Sequence, residues 1–129
     1  MQELIINPDN AQYWALAGHN KLQTSEGHIA ARYFARALSA MNNAPIKDIF
    51  LKLAISLEMA GDFHNAAKNY IKNIDFKKSS DENNKKSLYR AFGCYHKIRD
   101  FQSIVNYSQT INPNYWNDFP GIHEIIGIK

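Results

Sequence analysis

The five histidines are the side chains best suited to acid–base or metal chemistry, and their spacing supports neither. His28 and His64 each stand two residues before an alanine, Ala30 and Ala66, so they hold matching positions in separate segments. A helical metal site needs ligands three or four residues apart, as in His-x3-His or Glu-x2-His, and neither has such a neighbour. His19, His96 and His123 are equally isolated, and all five read as surface residues. Cys94 is the single cysteine, so it closes no internal disulfide and completes no zinc site; it reads as a buried or half-buried thiol. Gly18, Gly61 and Gly93 are scattered and build no phosphate-cradling loop. No carboxylate pair or Ser-His-Asp arrangement can be argued from spacing. These residues indicate no enzyme, no cofactor and no metal.

Function must then come from the elements that carry these residues. The chain has 129 residues, 45% hydrophobic and 21% charged, with formal charge +3, as expected of one ordinary globular domain. A nucleic-acid binder would show a denser, one-sided basic cluster. Here Lys77-Lys78 and Lys85-Lys86 flank Asp81-Glu82, which reads as a solvated loop. The start of the sequence lacks the basic flank and apolar core of a signal peptide. No stretch approaches the roughly 18 apolar residues of a membrane span. A cytoplasmic location and no membrane partner are expected.

Apolar spacing predicts seven helices, at about 10–23, 27–42, 45–60, 63–76, 85–98 and 100–111, with a short seventh within 116–126. Pro45 suits the first turn of the third, and Asp62 and Asp100 suit the caps of the fourth and sixth. Sustained period-two alternation is absent, so no strands are expected. The helices form three hairpins, 10–42, 45–76 and 85–111, with a capping segment at 113–129, in a single domain spanning 1–129.

The hairpins repeat. Trp14, Phe50 and Leu88 open successive copies about 36 and 38 residues apart, near the roughly 34 of one repeat family. Small residues fall at matching places, with Gly18, Ala54 and Ala91 on first helices and Ala30, Ala66 and Ile104 on second. Phe34 and Tyr70 fill the space between. Most other aromatics also sit at packing positions, so they read as core rather than as stacking platforms for RNA bases. This pattern resembles the tetratricopeptide repeat (TPR), W-x2-L-G-x2-Y followed by A-x3-F. Trp14, Gly18, Ala30, Phe34 and Ala37 carry the resemblance in the first copy, Leu53, Ala66 and Tyr70 in the second, and Tyr95 with Phe101 in the third. The first copy departs from the pattern at Ala17 and Lys21.

The resemblance implies an all-α, right-handed solenoid of stacked antiparallel hairpins with about three repeats. First helices would line a concave groove that holds a peptide or partner segment. Residues expected there are His19 and Gln23; Lys52, Ile55 and Met59; and Lys86, Tyr89, Arg90, His96 and Lys97. The set is basic with apolar interruptions, which suits an acidic protein or peptide. Lys86 and Arg90 fall where carboxylate-clamp members place basic residues, but Ala15, His19 and Lys52 replace the rest of the clamp. The expected role is a protein-interaction scaffold, attached to a larger bacterial protein or assembly. Alternatives are a small secretion-type TPR chaperone and, behind it, an RNA-binding helical repeat. Leu4-Ile5-Ile6-Asn7-Pro8 resembles the last turn of a preceding repeat, so its apolar edge is expected to self-associate or to continue upstream. Tyr115, Trp116 and Phe119 are expected to cover the other end.

Overall fold

The computed structural model describes residues 10–41, 46–77 and 82–127. The strip Leu4–Pro8, the helix-starting role of Pro45, and Lys78 and Asp81 of the charged loop lie outside these residues. Among the described residues there are seven α-helices, one 3-10 turn and no strand. The chain divides into two units, Met1–Asp62 and Phe63–Lys129.

The first unit holds α1 (Ala11–Gln23), α2 (Gly27–Ala40) and α3 (Ile49–Met59). Asn10 starts α1 by accepting the Tyr13 N–H at 3.1 Å, which satisfies one of the free donors of the first turn. α1 packs on α2 and α2 on α3. Their shared core is Ala15, Ala30, Ala31, Phe34, Ala37, Ile46, Ile49 and Leu53, edged by Trp14, Phe50 and Leu57. Small residues set the approach. A Cβ at Gly27 would lie 2.9 Å from both the Met59 Cβ and the Ser56 carbonyl oxygen, so α2 begins directly against the end of α3.

The second unit holds α4 (Phe63–Lys72), α5 (Glu82–Lys97), α6 (Phe101–Thr110), the 3-10 turn Pro113–Tyr115 and α7 (Ile122–Ile126). α5 packs against α4, α6 and the 3-10 turn, and α7 packs on α6. Ala66, Tyr70, Leu88, Ala91, Phe92, Tyr95, Ile104 and Ile122 are all buried, with Cys94 among them. Trp116 is also buried, and its indole N–H donates to the Ile111 carbonyl at 2.9 Å.

Two helices are shorter than their apolar spacing predicts, and one is longer. α3 begins at Ile49 rather than at 45, because Asp48 takes a left-handed conformation at φ 59°. α4 stops at Lys72 rather than continuing to 76. Beyond it the Asn73 amide donates to Ser87 Oγ at 3.0 Å. Asn84 then grips the Asp75 backbone twice, accepting its N–H at 3.1 Å and donating to its carbonyl at 2.7 Å. These bonds to α5 hold the stretch that follows α4, and at Asp75 the Asn84 side-chain oxygen takes the N–H that a helical carbonyl would otherwise accept. They also draw the start of α5 back to Glu82.

One turn occurs three times. Ser25, Gly61 and Arg99 are left-handed, at φ 61°, 86° and 59°. Their N–H groups donate to Leu22, Glu58 and His96 carbonyls at 3.1, 3.0 and 3.0 Å. The following residues, Glu26, Asp62 and Asp100, donate to Lys21, Leu57 and Tyr95 carbonyls at 2.9, 2.8 and 2.9 Å. This is the paired-bond closure that ends helices through a left-handed residue. In every case the acidic residue directly precedes the next helix, α2, α4 or α6.

Candidate ligand-binding faces

In the first unit, His19 and Gln23 lie one turn apart on α1, with Gln23 Nε2 at 3.1 Å from His19 Nε2. Lys52 and Ile55 are half-buried on α3, and Met59 is exposed. Met59 also borders an open cleft of about 320 Å³ with Gly27, His28 and Ile29. These residues offer one cation, one imidazole and two apolar side chains.

In the second unit, α5 carries the remaining five. Lys86, Arg90, His96 and Lys97 are exposed, whereas Tyr89 is half-buried. The fourfold spacing from Lys86 to Arg90 places both on one stripe of the helix. Arg90 donates to the Tyr70 hydroxyl at 3.3 Å, and its guanidinium carbon lies 5.7 Å from the Tyr70 ring centre. These contacts fix the side chain while leaving its charge at the surface. Lys97 Nζ stands 4.9 Å above the Phe63 ring. The His96 ring meets Phe101 edge-on at 5.4 Å.

The structure brings Lys86, Tyr89 and Arg90 together in one cleft of about 440 Å³, with Glu82 and Lys85. His96 lies in a different opening of about 370 Å³, with Phe101, Gly121, Glu124 and Ile125. Sequence reasoning missed Glu82 and Lys85, although 82, 85/86 and 89/90 follow the helical period and could have been grouped by it. It also missed the residues that reach α5 from the C-terminal segment. Lys85 Nζ pairs with Asp118 Oδ2 at 3.3 Å, and this hydrogen bond raises the lysine above its ordinary value. Burial raises Tyr89 as well, and its buried hydroxyl has no hydrogen-bond partner among the described residues.

Among the described residues, no group of three or more His, Cys, Asp or Glu could hold a metal ion. No described helix is long and apolar enough to cross a membrane. Comparison with family models, curated proteins and solved structures finds no match. The chemistry must be read from the faces themselves. They display cations beside aromatic rings, Arg90 at Tyr70 and Lys97 at Phe63.

Proposed function

We propose that this chain is a helical-repeat module of the TPR type, a right-handed stack of hairpins that binds an acidic protein or peptide segment through its first helices. The observation that carries the reading is the threefold turn at Ser25-Glu26, Gly61-Asp62 and Arg99-Asp100. Recurrence of both hydrogen bonds and the left-handed residue is what a repeated hairpin requires. The exposed Lys86, Arg90 and Lys97, with half-buried Lys52, supply the charge that favours an acidic partner.

A peptide array graded from acidic to basic tests the reading. Acidic peptides with a few apolar residues should be retained above neutral and basic ones. Lys52→Glu combined with Arg90→Glu should reduce that retention while the protein stays folded. Added salt should shrink the preference, since exposed charges are screened beyond about 8 Å at physiological ionic strength. Equal retention across the array would reject the acidic partner. Selective retention that survives the charge reversal would place binding on another surface.

A further inference from the structure

One lysine of the α5 cleft already holds an acidic side chain from the C-terminal segment. Asp118, 33 positions beyond Lys85, holds the Lys85 ammonium at 3.3 Å. The next residue, Phe119, sets its ring edge-on to Tyr89 and Phe92, with centroids 5.4 and 5.5 Å away. The base of this segment is fixed, because Trp116 is buried and bonded to Ile111. The Asp118 side chain itself is 73% exposed. It is therefore free to leave Lys85 without unpacking the segment. Meanwhile Lys86 and Arg90 lie exposed along the same cleft. Tyr89 also lines it, with its hydroxyl buried beneath the surface.

We propose that Asp118 is an internal stand-in for a ligand carboxylate, so that an acidic peptide entering the α5 cleft displaces it from Lys85. The inference rests on the acidic-peptide reading above and adds a built-in competitor to it. Two observations support it together: a carboxylate is already held by one of the three cations, Lys85, and the other two, Lys86 and Arg90, remain at the surface. An exposed ion pair is weak in water. Its attachment to the chain nevertheless holds Asp118 at high effective concentration. The competitor should thus lower ligand affinity severalfold rather than block the cleft.

Fluorescence anisotropy of a labelled hexaglutamate peptide with the full chain at low salt tests this. Asp118→Asn should bind about two- to fivefold more tightly than the unaltered protein, in keeping with the strength of a surface pair. Lys86→Glu with Arg90→Glu should remove binding in both backgrounds. Melting curves matching the unaltered chain verify that Asp118→Asn leaves the fold intact. Equal or weaker binding by Asp118→Asn, still lost on charge reversal, would overturn the competitor and leave the acidic-peptide reading standing. Absence of binding to both proteins would overturn both. Retention of polyuridylate in place of hexaglutamate would overturn both in favour of nucleic acid.

Discussion

Gly18 lies flat against Phe34: a Cβ at Gly18 would stand 3.0 Å from two carbons of that ring, which is fully buried and cannot retreat. Gly18→Val should therefore destabilise the first unit by about 1–3 kcal/mol through overpacking. Gly93, within α5, has open space around it. Gly93→Ala should gain about 0.5–1 kcal/mol from helix propensity alone. Urea unfolding of the two variants checks the pair, and two glycines in helices should shift the midpoint in opposite directions.

Ala66 is fully buried on α4, which packs on α5. Ala66→Asp would bury a charge where a methyl group fits, and we expect a loss of about 3 kcal/mol or more. Two residues along, Lys68 is exposed, and Lys68→Ala should change stability by less than about 0.5 kcal/mol. Similar thermal melts for the two variants would contradict the assigned register of α4.

Asp100 caps α6, accepting the Ser103 N–H at 3.1 Å and the Ser103 hydroxyl at 2.7 Å. These bonds hold its carboxyl below the ordinary range. A depressed carboxyl stabilises fully above its unfolded value, about pH 4, and the contribution is lost as pH falls through the folded value. Asp100→Ala should cost about 1 kcal/mol at neutral pH and progressively less in acid below about pH 4. Asn10, which caps α1 without a titrating group, provides the control. The cost of Asn10→Ala should lack this acid dependence when both are followed by urea unfolding across pH.

Arg99 is left-handed in the same turn that Gly61 closes between α3 and α4. A side chain there is strained by about 1 kcal/mol, partly offset by the extra freedom glycine has when unfolded. Arg99→Gly should raise stability by about 0.5 kcal/mol. A lower melting temperature would show that the Arg99 side chain contributes more than its backbone strain costs.

The helices were legible in the sequence wherever their causes are local. The starts of α1, α2, α4 and α6 follow from nearby capping and turn residues, and Ala30, Ala54, Ala66 and Ala91 are buried as their spacing predicts. The end of α4 was not legible, because it depends on Asn73 and Asp75 meeting Ser87 and Asn84 across α5. Helical period alone continues through such a point. The same holds for the cleft. Lys86 and Arg90 could be placed on one stripe from their spacing, but nothing near Lys85 announces that Asp118 will return to it. Contacts made by a returning chain depend on tertiary packing, which residue periodicity does not encode.

The double grip of Asn84 on Asp75 has a consequence for length. One side chain closes both ends of the chain between these residues, much as a clip shortens a cord. Residues added between Lys77 and the start of α5 at Glu82 should lengthen this closed connection at a closure entropy of about 0.6 kcal/mol for each doubling. The connection can thus change its length while α4 and α5 keep their register, making it a natural place to insert a reporter or an epitope.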